Sequence, residues 1–152
     1  MVTAVEILEQ LRTEFTLTPS ADTMPGFTKV ILYTAGDGRA RFREEPVELG
    51  EGTPQAKLSR LFPACGYQLR RSPVGFRSDW HCTPAPQWVF ILGGQMEIGL
   101  ADGTSRVFSR GEHFYAADTL PAGAAFCPGV HGHWSAQRGA DALVTLFLKD
   151  SG

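Results

Sequence analysis

Sulfur is scarce in this chain. Its three cysteines, Cys65, Cys82 and Cys127, are odd in number, widely spaced and form no Cys-x-x-Cys pair. That excludes a disulfide frame and a zinc finger and leaves free thiols, as in a reducing compartment. No apolar run reaches the ~18 residues that a membrane span needs. Charge of one sign is lacking too: the formal net charge is -2, so no basic field argues for nucleic acid or an anionic membrane. The opening residues MVTAVEILEQLRTEF carry Glu6, Glu9 and Glu14, where a secretory leader would be basic and then apolar. A cytoplasmic protein is the expectation. The sequence also lacks an internal repeat and a helix-turn-helix, so no DNA-binding half is expected.

What is present suits one domain. The chain has 152 residues, 43% of them hydrophobic and 20% charged, enough to bury a core. Thr3 and Glu6 make a capping box, and Ala4, Ile7, Leu8, Leu11 and Phe15 recur at helical spacing. This predicts one amphipathic helix over residues 4–15. The segment Leu17 to Gly26, with two prolines and a glycine, ends it. We therefore divide the chain into a helix and linker, 1–26, and a β-domain, 27–152.

From there on, short strand-like runs alternate with turns. Strands are expected at 29–34, 40–49, 56–62, 67–72, 76–81, 87–92, 95–100, 104–109, 113–117, 132–137 and 142–148. Asp102-Gly103 marks a hairpin, since both residues tolerate positive φ. So many short strands without intervening helices indicate an antiparallel barrel or sandwich, not a βαβ sheet.

The informative stretch runs Gly75-Phe-Arg-Ser-Asp-Trp-His81-Cys-Thr83-Pro-Ala-Pro-Gln87 and on to Gly94. It resembles the first motif of the cupin superfamily, a glycine followed by His-x-His, a glutamate and a second glycine. All the spacings match, with Thr83 at the second histidine's place and Gln87 at the glutamate's. A looser likeness to the second cupin motif starts at Gly111 and ends in Gly129-Val-His131-Gly-His133-Trp. The register of the strand that follows favours His133 over His131 as its histidine. The chain is also similar to a group of small cupins in which Gln stands at this place and Asp118-Thr119 and the Gly-His pair recur.

The resemblance implies an all-β, jelly-roll-like barrel around a pocket. By the motif positions, His81, Gln87 and His133 become the expected metal ligands, for iron, manganese, nickel or zinc. No organic cofactor is expected. Because residues two apart on a strand share a face, Arg77 and Asp79 are expected beside His81 in the substrate pocket, along with Thr83 and, next to His133, Ser135. Arg70 and Arg71 adjoin on one strand, so only one faces inward. An inward arginine would pair with a carboxylate ligand or Asp79, whereas a solvated one is the commoner outcome.

Trp80, Trp88 and Trp134 fall on the parity opposite the site. An outward aromatic layer must be covered, by the N-terminal helix or by a second subunit, and a homodimer is the expectation. Two functions remain open at this point. One is a metal-dependent oxygenase, isomerase or lyase acting on a small, carboxylate-type molecule. The other is a non-catalytic barrel that binds a metabolite or serves assembly without metal.

Overall fold

The computed structural model describes residues 26–151; the helix expected over 4–15 lies outside them. The described chain consists of β1 Phe27–Thr34, β2 Ala40–Val47, β3 Glu51–Thr53, β4 Ala56–Leu58, β5 Gly66–Ser72, β6 Gln87–Gly93, β7 Gln95–Gly99, β8 Ser105–Ser109, β9 His113–Ala117, β10 Trp134–Arg138 and β11 Leu143–Lys149. Among the described residues no helix is long and apolar enough to cross a membrane.

Six strands form one sheet in the order β2-β1-β9-β6-β11-β5, and three form a second, β10-β7-β8. Every pairing is antiparallel except β1 with β9. The small β3–β4 hairpin stands apart. Of its two strands, β4 opens the strand expected over 56–62 but stops at Leu58, and β3 had no counterpart, because Glu-Gly-Thr is too short to show an alternation.

Alternation builds the core. Val89 and Ile91 of β6, Val30 and Leu32 of β1 and Phe114 of β9 meet Met96, Ile98 and Phe108 from the smaller sheet. Phe108 and Phe114 pack with ring centroids 4.8 Å apart. Polar inward residues collect elsewhere: Thr83, Gln87, Asp118, His133, Ser135 and Thr145 are all buried. Aliphatic packing thus fills one part of the interior and polar groups another, which is how a barrel makes a pocket.

The β7–β8 hairpin forms where Asp102-Gly103 places it, by a different mechanism from the one expected. Only Gly103 of the two has positive φ, at 86°. Asp102 instead accepts hydrogen bonds through Oδ1 from the Thr104 backbone N–H at 2.9 Å and its hydroxyl at 2.6 Å. Leu100 accepts from the Gly103 N–H and donates to Thr104, the type I turn with a left-handed glycine that suits a three-residue loop.

Residues 76–81 are not the strand that their sequence suggests. They touch β10 only through isolated bridges, Arg77 with Ala136 and His81 with His133. Strict alternation therefore fails along this stretch.

Two of the three tryptophans, Trp88 and Trp134, are covered by the chain itself. Trp88 is only 7% exposed because Phe62, Phe90, His113 and Tyr115 pack around it and the Lys29 ammonium sits 4.8 Å from its ring centre. Trp134 lies across Gly99, where a Cβ would come within 1.9 Å of the indole, and carries the Arg77 guanidinium at 4.0 Å. The argument from uncovered tryptophans to a homodimer loses its premise for these two residues.

His113 belongs to the same outer aromatic layer. It stacks on Phe27 at 4.6 Å, its Nε2 is buried without a hydrogen-bond partner among the described residues, and desolvation lowers its pKa below 6.5, with Arg106 adding to the effect. A histidine whose folded pKa lies below its unfolded one stabilises the fold above the unfolded value, and that stability is lost as pH falls through about 6.5. His113→Phe keeps the stack and removes the titrating group. We expect its urea midpoint to fall less than that of the parent chain between pH 7 and pH 5.5; an unchanged pH slope would show that His113 takes up its proton equally in the folded and unfolded states.

Candidate functional site

A cavity of about 50 Å³ lies inside the barrel, lined among others by Arg70, His81, Thr83, Gln87, His133 and Phe147. The three residues expected as metal ligands, His81, Gln87 and His133, therefore face one space. Outside it runs a groove of about 330 Å³ lined by Gln68, Leu69, Arg70, Gln87, Phe147 and Lys149. Arg70, Gln87 and Phe147 belong to both, so they form the threshold between groove and cavity.

His81 and His133 are held together by their own backbones. Each donates its N–H to the other's carbonyl at 2.9 Å, and the ring centroids are 4.4 Å apart. Gly132 permits this approach. It has φ of +72°, and a Cβ there would come within 2.1 Å of the His81 carbonyl oxygen. A Gly132→Ala protein must either shift that crossing or strain it, at a cost of about 1–3 kcal/mol. We expect lower stability in urea and looser ligand binding together. A variant matching the parent in both would show that the two histidine strands can part harmlessly.

Asp118 is the site residue that the sequence reading did not assign. It is fully buried, and its two oxygens accept from the Thr83 hydroxyl at 2.6 Å and from His133 Nδ1 at 2.5 Å. The backbone N–H of Thr83 also donates to the Asp118 carbonyl at 3.2 Å. A signal was available: Phe114 and Ala116 are inward on β9, and the same alternation carried past the strand's end puts Asp118 inward as well. Thr83 thus lines the cavity and also orients the carboxylate.

His81 sits at the mouth, exposed, with Nδ1 at 2.9 Å from the Asp79 carbonyl oxygen. Desolvation lowers its pKa below 6.5; His133 and Arg70 add to that, while the Asp79 contact and Asp118 oppose it. Gln87 is nearly buried, and its Oε1 accepts a hydrogen bond from the Lys149 ammonium.

The other expected pocket residues are elsewhere. Arg77 is exposed and stacked on Trp134. Asp79 is exposed and offers the site only its backbone carbonyl. Neither lines the cavity, because the irregular path of 76–81 breaks the parity on which both were placed. Ser135 is buried beside His133, but its N–H and hydroxyl are both engaged by the Ser78 hydroxyl, at 2.8 and 3.2 Å. It ties residue 78 to β10 and does not line the cavity either.

Arg70 is the inward member of the arginine pair, and Arg71 is exposed. Its guanidinium lies over Phe147 at 4.8 Å and near Phe76 at 5.3 Å. Nε and Nη2 are buried, and among the described residues neither has a hydrogen-bond partner. Burial lowers its pKa, as expected for a charge removed from water.

The metal that the cupin motif implies can be tested against these donors. The two imidazoles are neutral ligands, and the amide oxygen of Gln87 already accepts from an ammonium. The Arg70 guanidinium adds a positive charge on the same lining. The Asp118 carboxylate is spent on Thr83 and His133. Among the described residues no three His, Cys, Asp or Glu side chains converge to hold an ion. Two imidazoles without a free carboxylate, beside a guanidinium, are a poor fit to a divalent ion.

No family model matches the chain, and no curated protein matches it. Among solved structures it is similar to the cupin domain of Schizosaccharomyces pombe Cnp3, at 14% identity and a TM-score of 0.39, over 83% of this chain and 85% of that one. A likeness so distant says nothing about what this chain binds. What the structure shows directly, over the described residues, is an all-β fold of one six-stranded and one three-stranded sheet.

Proposed function

We propose that this barrel binds a small organic anion of the carboxylate class, without a resident metal. The carrying observation is the Arg70 guanidinium, whose Nε and Nη2 are buried at the cavity threshold with no partner among the described residues. A buried charged donor left without an acceptor is costly, and a guanidinium presents a planar fork that matches a carboxylate. Lys149 adds a second cation on the adjoining groove, where it donates to Gln87. The cavity's ~50 Å³ suits a carboxylate-sized head, with room in the ~330 Å³ groove for the rest of the molecule.

The test is calorimetric titration and thermal unfolding of the full chain with acetate, pyruvate, succinate and benzoate, each compared with its uncharged amide. A second arm repeats the series after EDTA treatment and with added Zn²⁺, Mn²⁺, Ni²⁺ or Fe²⁺. We expect at least one acid to bind and raise the melting temperature, the amides to do neither, and EDTA to change nothing. Tight metal uptake that vanishes in His81→Ala or His133→Ala, with anion binding only to the loaded protein, would replace this reading with the metal-dependent one.

A further inference from the structure

Building on the anion-binding reading, we propose that the site also moves a proton: His133 acts as a base on a carbon of a bound 2-oxo carboxylate, and Asp118 is the positioning residue behind it. The inference starts from hydrogen-bond inventory. An ionised carboxylate only accepts, so the 2.5 Å contact from His133 Nδ1 to Asp118 puts the ring proton on Nδ1. The lone pair of the neutral ring is then on Nε2. His81 repeats the pattern, since the Asp79 carbonyl at 2.9 Å also requires a donor. Neither Nε2 hydrogen-bonds to another described residue, although His133 is only 4% exposed.

His133 has one nitrogen locked by a fully buried carboxylate, and its ring lines the same cavity as Arg70, whose Nε and Nη2 lack a partner among the described residues. An anchored carboxylate and a neutral base of fixed tautomer on one small space are the parts that general base catalysis needs.

The substrate class follows from acidity. Removing a proton beside a plain carboxylate would create a second full charge on an unactivated carbon, beyond the reach of an imidazole. A carbonyl next to the carboxylate solves this. His133 Nε2 takes a proton from C3; the C3–H electron pair becomes the C2=C3 bond, and the C2=O pair moves onto oxygen. The product is an enolate beside the positive charge of Arg70 and an imidazolium held against Asp118. Return of the proton to C3 regenerates the oxo acid and the neutral ring. The cycle needs no oxidant, reductant or second substrate. Its outcome is hydrogen exchange or, where C3 carries a substituent, inversion or tautomer formation.

The experiment places the full chain in D₂O with pyruvate or 2-oxobutyrate and follows loss of the C3 proton signals by NMR, against buffer alone. The dissociation constant of each acid is measured in parallel. We expect exchange above the buffer rate, its loss in His133→Gln, and a fall of about a hundredfold or more in Asp118→Asn, with the dissociation constant changed less than threefold in both. Because Asp118→Asn also disturbs a buried hydrogen-bond network, His81→Gln is the companion: exchange abolished there but kept in His133→Gln would overturn the assignment. Binding of both acids with no exchange above buffer would overturn proton transfer and leave anion binding standing. Failure of every acid to bind would remove both.

Discussion

Arg70→Met will yield a barrel that unfolds at higher urea than the parent chain and binds carboxylates about tenfold to a hundredfold more weakly. The two effects have one source. In the absence of ligand, the guanidinium Nε and Nη2 are withdrawn from water without acceptors, and desolvation already lowers the group's pKa. Replacing an uncompensated buried charge by an apolar side chain is commonly neutral or stabilising, by about 1–4 kcal/mol. Methionine is unbranched and adapts to the space between Phe76 and Phe147, which recovers part of the lost cation–π contact. With ligand, the same substitution deletes charge-assisted hydrogen bonds worth about 1.5–3 kcal/mol, hence the loss of affinity. Arg70→Lys separates charge from geometry: it keeps the cation but not the fork, and should bind between the two. Arg70 would be a structural residue if the methionine protein were less stable and bound acids unchanged.

The fold was legible because it rests on alternation. Gln87, Val89 and Ile91 against Trp88, Phe90 and Leu92 can be sorted by counting in twos, and so can His133, Ser135 and Gln137. Val89 and Ile91 do enter the core, and His133 and Gln87 do meet one cavity. The same counting misplaced Arg77 and Asp79, because residues 76–81 keep only isolated bridges to β10 and need not alternate. Arg70 against Arg71 could not be settled by parity alone. The choice depends on the register of β5 against β11, where Ser72 pairs with Leu143 and Arg70 with the fully buried Thr145, a long-range fact. Asp118, noted only as recurring in similar small cupins, received no role for a different reason. It lies just past a strand, outside both motif histidine spacings, and its importance comes from meeting Thr83 and His133 across gaps of 35 and 15 residues.

Asp118→Ala should be the most destabilising single change in the polar half of the barrel, at about 3–5 kcal/mol. Three donors converge on this residue: the Thr83 hydroxyl and His133 Nδ1 on its carboxylate, and the Thr83 N–H on its carbonyl. Alanine keeps only the last. The hydroxyl and the imidazole N–H would then be buried donors without acceptors, each costing about 1–3 kcal/mol, in surroundings where Thr83 is 3% and His133 4% exposed. Thr83→Val removes one of these bonds together with its donor, leaves no donor orphaned, and should cost only about 1.5–3 kcal/mol. The cycle of Asp118→Ala and Thr83→Val isolates their coupling, because in the double variant only His133 lacks its partner. Urea unfolding at pH 7 measures all four corners. The expected order is parent, Thr83→Val, double variant and Asp118→Ala, from most to least stable. If Asp118→Ala stays within about 1 kcal/mol of the parent chain, water or a rotated ring has replaced the carboxylate, and Asp118 does not fix the tautomer on which the proton-transfer step depends.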